Sequence, residues 1–313
     1  MANPPIVFAD AVIGDPVVFW GAGTGTRVAG GGRGSPARNA LRNPVLTWVG
    51  PAKKLWIAHF AIKAAGWGHV GKNITLGGVV FTFATDGTIS VLGQSTPRAL
   101  PAGSWQHVTL LVYRDPSAGL ASVYFNETLQ LALTGQNTGS GTSTNVVFNT
   151  ADVVDAYDYC DIFIAASDTS SDLPYGDRPV FALMPSGAGG HTDFTPSAGS
   201  NYQCVDEQPP NDDTDYVSSS TATNRDAYAM DDLPAAVGTV YAVIPVLYAR
   251  KTDAGSRSLT PGFRIGTTDY DGTAQNLSTS YGYMTQVFMV SPATSAAWTA
   301  SEVNGAQLEM LLG

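Results

Sequence analysis

The sequence predicts an all-β protein: two β-sandwich, jelly-roll-like domains and a short C-terminal helix. Three observations carry this expectation. Gly and Pro together fill 53 of the 313 positions (34 + 19), and neither sits well inside a helix. Charged residues make up only 13% of the chain, about half the usual share, which excludes a coiled coil or a highly charged disordered chain. The apolar residues, 44% of the total, fall in short runs punctuated by Gly, Pro, Asn and Asp, the pattern of strands and turns.

Each element follows from its local pattern. Residues 55–62 form an apolar, β-prone run. Residues 78–83 and 88–92 flank Asp86-Gly87, a strong hairpin signal. Residues 107–113 read as a strand, turned back by Asp115-Pro116 into 121–125. Asn126-Glu127 starts the turn into 129–133. Residues 135–144 read as a polar surface loop, and 161–165 as the last strand of the first domain. The Ser/Asp/Thr/Pro stretch 167–177 marks the boundary, giving domains 1–170 and 171–313.

In the second domain, residues 179–184 read as a strand stopped by Pro185, and 185–200 as an extended Gly/Ser/Pro loop. Residues 237–248 are the longest apolar strand candidate, with Pro245 suggesting an edge or bulge. Residues 257–266 and 281–290 supply further strands. Thr299-Ala300-Ser301-Glu302 has the capping-box pattern, so a helix is expected from there toward Leu312. Two packed sheets need aromatic cores. Trp56, Phe60, Phe81, Phe83, Trp105, Tyr124 and Phe125 are the candidates in the first domain. Phe181, Tyr241, Phe263, Tyr283, Phe288 and Trp298 are those in the second.

Net charge is 16 − 26 = −10, which disfavours a general nucleic-acid binder. Residues 1–150 carry 10 − 5 = +5 and residues 151–313 carry 6 − 21 = −15. Such asymmetry suits head-to-tail contact between copies, or simple drift of surface composition. Cys160 and Cys204 lack Cys-x-x-Cys spacing and read as buried free thiols rather than a pair. Met1-Ala2-Asn3-Pro4-Pro5 has no basic start or apolar run, so no secretory leader is expected. No run approaches the roughly 18 apolar residues of a membrane span.

Chemical constellations are sparse. Glycoside hydrolysis needs paired carboxylates, yet the chain has four Glu residues, Glu127, Glu207, Glu302 and Glu309, and no Glu-x-Asp-x-Glu strand. The histidines His59, His69, His107 and His191 show no i, i+4 pair; His59 and His107 read as structural and His69 as a turn residue. Gly32-Arg33-Gly34-Ser35-Pro36 departs from the Ser-nucleophile elbow. The runs Gly21-Ala22-Gly23-Thr24-Gly25 and Gly30-Gly31-Gly32 lack the Gly-Lys-Ser/Thr of a phosphate loop and read as flexible loops. Asp206, Glu207, Asp212, Asp213 and Asp215 form an acidic cluster that could hold Ca²⁺ but reads more simply as a solvated turn. No catalytic, cofactor-binding or metal-ligating set is assigned, and the chain is not expected to be an enzyme.

Two resemblances add to this reading. Residues 50–165 resemble a concanavalin-like (laminin-G-like) jelly roll, through Gly103-Ser104-Trp105-Gln106-His107-Val108-Thr109 and Val123-Tyr124-Phe125-Asn126-Glu127-Thr128-Leu129. Glu127 stands where that superfamily has Gly, so its turn is expected to differ in type.

A second set of motifs spans residues 157–313. The matching motifs begin with Tyr159-Cys160-Asp161-Ile162-Phe163-Ile164 and Thr195-Pro196-Ser197-Ala198-Gly199-Ser200-Asn201-Tyr202. Val205-Asp206-Glu207, Asp212-Asp213-Thr214-Asp215-Tyr216-Val217 and Asp226-Ala227-Tyr228 follow. Ala249-Arg250-Lys251-Thr252-Asp253-Ala254-Gly255 and Ala297-Trp298-Thr299-x-x-Glu302-Val303-Asn304 complete the order.

In this order the motifs are similar to a family of tailed-bacteriophage virion structural proteins, and this second resemblance implies a virion component present in many copies, a capsid decoration, collar or tail appendage assembled in the host cytoplasm. Its implied partners are other virion proteins and sister copies in a homo-oligomer. The alternative is a carbohydrate-binding module on the virion surface that attaches to a host glycan, with Trp20 and Trp67 as stacking candidates. An enzyme acting on surface polysaccharide is the third class.

Overall fold

The computed structural model describes residues 6–10, 22–28, 32–33, 40–68, 72–150, 156–172 and 174–313. Nearly every described element is a strand, and the chain divides into two compact units, Met1–Phe181 and Ala182–Gly313. Seven acidic residues between 151 and 181 therefore belong to the first unit. Counted this way, the units carry 11 − 12 = −1 and 5 − 14 = −9. The opposite signs seen when the chain is cut at residue 150 are not a property of the units.

In the first unit the strands are β1 (Ile6–Asp10), β2 (Ala22–Val28), β3 (Ala40–Lys53) and β4 (Leu55–Ala64). Next come β5 (Lys72–Leu76), β6 (Val79–Phe83), β7 (Ile89–Val91) and β8 (Gln94–Ser95). The unit closes with β9 (Gln106–Tyr113), β10 (Gly119–Phe125), β11 (Thr128–Gln136), β12 (Ser143–Asn149) and β13 (Tyr157–Ser167). They pair in the order β11-β10-β9-β4-β13-β3-β12-β5-β6-β7-β8, with β1 beside β13 and β2 beside β3.

The ladder doubles over on itself along β3. Leu41 and Arg42 pair with β13, whereas Val45 to Lys53 pair with β12. Asn43 (φ 46°) and Pro44 lie between the two stretches and bend the strand, the usual device by which one strand serves two layers. The layers enclose one core in which Phe60 of β4 meets Phe148 of β12 at 5.5 Å and Tyr159 of β13 at 5.6 Å. Trp56, Phe60, Phe81, Phe83 and Phe125 are buried as expected, while Trp105 and Tyr124 are half-buried. The run Gly21–Gly25 read as a loop; its described part lies within β2.

Strand β4 is buried on both faces. Trp56, Ala58, Phe60 and Ile62 face the core, whereas Leu55, Ile57, His59 and Ala61 alternate onto the outer face. His59 on that face is covered by Tyr175, whose backbone N–H donates to Nε2 at 3.4 Å. The connector is held at Asp161, which sits at positive φ in the β13 bulge and accepts from the Val180 N–H at 2.9 Å.

The second unit begins with β14 (Pro185–Thr192), β15 (Thr195–Pro196), β16 (Val217–Ser218) and β17 (Arg225–Met230). Then follow β18 (Val246–Ala249), β19 (Ser258–Ile265), β20 (Thr268–Asp271), β21 (Gln275–Asn276) and β22 (Gly282–Thr285), the helix α1 (Ala300–Gly305) and β23 (Ala306–Leu312). The main sheet runs β14-β17-β23-β19-β20, with β21 also on β19. Its apolar face, Tyr228, Leu259, Met310 and Leu312, packs on Leu247 of β18 and Met284 of β22, which pair as a second small sheet. Phe263, Trp298, Val303 and Ala306 form a further cluster with Phe288.

Three expectations for this unit need correction. Residues 179–184 are not a strand; pairing starts at Pro185 and runs through the Gly-rich stretch expected to be a loop. Of residues 237–248, only those from Val246 onward form a strand, apart from a bridge between Val243 and Phe288. The helix capped by Thr299 and Glu302 stops at Gly305. Residues 306–312 are instead the central strand, paired to β17 on one side and β19 on the other.

Candidate functional site

Two side-chain assemblies in the second unit stand apart from ordinary packing. The first lies on the face of the main sheet opposite its apolar core. Register places Ala227, Glu309, Gly262 and Asp271 in one row and Ala229, Gln307, Arg264 and Asp269 in the next. Small neighbours on both sides leave Glu309 in a trough, and it is 1% exposed.

His191 reaches this face through a bulge. Ala188 pairs with Tyr228 and Thr192 with Asp226, so three residues of β14 oppose one of β17. Gly189 lies so close to the Ala227 backbone that a Cβ would collide with it. The Gly190 N–H donates to the Gln307 side chain at 2.8 Å and pins the bulge over the sheet.

The charges on this face are held as follows. Arg225 bonds both Asp271 oxygens, at 2.7 and 2.8 Å, and also Glu309 Oε1. Arg264 bonds Asp269 Oδ1. The His191 Nε2 lies 2.8 Å from Arg264 Nη1 and 3.0 Å from Asp269 Oδ2. Glu309 Oε2 is buried and has no hydrogen-bond donor among the described residues. Burial pushes the Glu309 carboxyl up, against the pull of Arg225, and Asp269 adds to the rise. Burial also pushes Asp269 up, but Arg264 and His191 outweigh it and hold that carboxyl below its ordinary value. Glu309 is too enclosed to touch a polymer, so this carboxyl pair does not form the open acid and nucleophile of a glycosidase.

The second assembly is on the surface, built on β18 and β22. Tyr248 and Tyr283 are directly opposed across the pair, with rings at 4.6 Å. Tyr281 stacks on Tyr248 at 4.9 Å and 10°, and the Arg250 guanidinium lies 5.1 Å from the Tyr281 ring centre. Asp213 accepts from Arg250 at 2.9 and 3.1 Å and from the Tyr281 hydroxyl at 2.8 Å. The Tyr248 hydroxyl donates to Asp212 at 2.9 Å. The acidic cluster read from the sequence therefore divides. Asp212 and Asp213 anchor this aromatic surface, while Glu207 is pushed up by burial and by Asp215 and Asp206.

The remaining candidates are placed as follows. Trp67 is 9% exposed and packs face to face on Phe83 at 6.0 Å, so it offers no open platform for a sugar. Trp20, His69 and Ser35 lie outside the described residues. His59 and His107 are buried in the first unit with rings stacked at 5.8 Å, and burial lowers both imidazoles, His107 to about 4. Cys160 and Cys204 are buried free thiols. A surface hollow of about 660 Å³ between Val80, Leu92 and Arg114 holds no reactive group, because Arg114 is engaged by the carbonyls of Gly77, Ser140 and Gly141.

Sequence reasoning missed the roles of Arg225, Arg264, Asp269 and Glu309, which come from strands up to 84 residues apart. Tyr248 and Tyr281 carried a usable signal, since each lies two positions from another charged or aromatic residue, Arg250 and Tyr283, at the edge of a short strand. Among the described residues no helix is long and apolar enough to cross a membrane.

No family model matches the chain, and no curated protein matches it. Among solved structures it is similar to the alginate lyase Aly36B, at 13% identity and a TM-score of 0.36, over 54% of this chain and 94% of that one. It is also similar to the VIP36 exoplasmic/lumenal domain bound to Ca²⁺ and Man3GlcNAc, at 12% identity and a TM-score of 0.32, over 55% and 92%. A sialidase matches at 13% identity and a TM-score of 0.35 over 43% of this chain, which spans 16% of that protein. At such scores these likenesses say nothing about what this chain binds or does.

Proposed function

We propose that this chain is a structural or accessory component of a tailed-bacteriophage particle, a capsid decoration, collar or tail appendage that works by protein–protein contact rather than catalysis. The observation that carries this reading is the surface network Asp213–Arg250–Tyr281. Two of its members come from separate motifs of the virion-protein resemblance, 37 residues apart. A second motif pair behaves alike: Asp226 accepts from Asn201 and from the Tyr228 hydroxyl, each at 2.7 Å. The motifs thus meet one another in space, as expected if they record a shared way of building this unit.

The exposed network also has the composition of a contact surface. Tyr and Arg are enriched at the centres of protein interfaces. Here each ring and guanidinium is already held by a neighbour, so docking would order little that is not ordered beforehand. In this reading the chain joins other virion proteins and sister copies on a particle assembled in the host cytoplasm.

The test is reconstitution. Particles lacking the protein are mixed with purified chain, and with Arg250→Ala and Tyr281→Ala variants. Saturable binding of the parent chain and loss with the variants supports the reading; no binding of the parent chain ends it. A second reading, a carbohydrate-binding module, draws on the same stacked tyrosines beside a carboxylate and a guanidinium. Binding to a host-glycan array that is lost in Tyr281→Ala would favour it.

A further inference from the structure

We propose that His191, Asp269 and Glu309 form a binding site for one divalent transition-metal ion, of the Zn²⁺ class, on the polar face of the second unit's main sheet. One donor atom from each residue lies within 4.8 Å of the other two. They arrive from the bulge of β14, from β20 and from β23, so no spacing in the sequence displays them.

The arginines hold each carboxylate by one oxygen and leave the other facing inward. Arg264 takes Asp269 Oδ1, leaving Oδ2 beside the imidazole at 3.0 Å and 3.9 Å from Arg225 Nε. Arg225 takes Glu309 Oε1, leaving Oε2 buried with no donor among the described residues and the Asp269 carboxylate as its side-chain neighbour. A carboxylate oxygen stripped of both water and hydrogen bonds is costly. Orientation of ligand carboxylates by such outer partners is a recurring feature of metal sites.

The imidazole contacts point the same way. As a neutral base, Nε2 can accept from Arg264, but its lone pair then also faces Asp269 Oδ2. With a proton on Nε2, as the cation or as the neutral Nε2–H tautomer, it can donate to Asp269, but that proton then faces the Arg264 N–H. Neither protonation state satisfies both neighbours. A metal ion satisfies Nε2, Oδ2 and Oε2 together, and Arg264 then retains Asp269 Oδ1 as its partner. A set of one imidazole and two carboxylates suits Zn²⁺ or a first-row neighbour better than Ca²⁺, which prefers oxygen alone.

The counterargument is charge. Arg225 and Arg264 already face Asp269, Asp271 and Glu309, so the ionised cluster carries a net charge of 2 − 3 = −1. Binding must therefore draw on the imidazole lone pair and the free oxygens rather than on bulk attraction.

The experiment is calorimetric titration of the chelator-treated, untagged full chain with Zn²⁺, and of the His191→Ala variant after its fold is checked by circular dichroism. The site predicts one tight equivalent in the parent chain, lost in His191→Ala, sharply weakened in Asp269→Asn, and not displaced by excess Ca²⁺. X-ray absorption at the zinc edge should show a single imidazole. His191 is at the surface end of the trough, so its removal leaves the sheet intact even if Glu309 variants do not fold. Absence of a tight equivalent, or its survival in His191→Ala, overturns the proposal.

Discussion

Asp177 receives both terminal nitrogens of Arg33, at 2.6 and 2.5 Å. The Nε of the same guanidinium reaches Asp161 at 3.2 Å. One arginine therefore ties the connector at Asp177 to the β13 bulge at Asp161. Burial pushes the Asp177 carboxyl up, but Arg33 and the other nearby cationic groups outweigh it and hold the carboxyl below its ordinary value.

The first prediction concerns this clamp. The Asp161 side chain is fully buried. Removing Arg33 would take away its guanidinium partner, while the Val180 N–H and the Cys160 thiol still donate to it. Arg33→Ala should cost about 2–3 kcal/mol, less than the roughly 3–5 kcal/mol of a fully buried stranded charge, because Asp177 is partly screened by solvent. Asp161→Asn in the Arg33→Ala background should recover part of that loss. A double-mutant cycle by urea unfolding measures both, and additive effects would refute the coupling.

The second prediction concerns acid. His107 is 1% exposed, and neither ring nitrogen has a hydrogen-bond partner among the described residues. Its imidazole is lowered to about 4 by burial, while Asp177 raises it and Arg33 lowers it. A histidine binds more protons unfolded than folded when its folded pKa is depressed. Stability from this group is thus fully present above about pH 6.5 and is lost as pH falls toward 4, amounting to about 3 kcal/mol. His59 is lowered by burial as well and acts in the same direction. The Asp177 carboxyl starts from 3.8 and is lowered, so its contribution fades only below that window. Urea midpoints at pH 7, 5.5 and 4.5 should fall steeply for the parent chain and less steeply for His107→Phe. Equal slopes would remove His107 from the account.

The turn at Asn126-Glu127 supplies a third. Both residues have positive φ, 46° and 67°, and link β10 to β11 as a two-residue hairpin loop. Glycine is the easy choice at such a position. Glu127 has a compensating use, because its carboxylate accepts the Asp177 N–H at 2.9 Å and lies 3.8 Å from Arg178. Glu127→Ala loses the anchor and keeps the backbone strain; Glu127→Gly loses the anchor and relieves the strain. The glycine variant should therefore be the more stable of the two by about 1 kcal/mol. Equal thermal midpoints would contradict the backbone argument.

These elements also show where the sequence is legible. Strands β4, β9 and β10 are runs of β-branched and aromatic residues with clear turn signals, so local pattern and fold agree. Strand β14 reads Pro-Ser-Gly-Ala-Gly-Gly-His-Thr, with no apolar face to reveal it, and it pairs because β17 offers an edge. Strand β23 is built from good helix formers directly behind a true capping box, so propensity pointed the wrong way and pairing on both edges overrode it. Its period-two pattern was nonetheless present, with Leu308, Met310 and Leu312 on the apolar face and Gln307 and Glu309 on the polar one. The polar cluster could not be read beforehand, because register across five strands brings it together.

The last prediction separates adhesion from folding. Arg250 and Asp213 are solvated, with side chains 29% and 62% exposed, and an exposed ion pair contributes little to stability. Their geometry serves mainly to fix the Tyr281 ring. Arg250→Ala and Asp213→Ala should therefore melt with the parent chain while losing attachment to particles that lack the protein. Tyr281→Phe keeps the stacked ring and removes only the hydroxyl that Asp213 accepts, so it should bind at an intermediate level. Tyr281→Ala should bind least, because stacking on Tyr248 and the stage for Arg250 vanish together. The same four variants are measured by scanning calorimetry and by co-sedimentation. A drop in melting temperature that tracks the loss of attachment would show that the network holds the unit together rather than presenting a surface. Stable variants that all attach like the parent chain would move the contact surface elsewhere on the molecule.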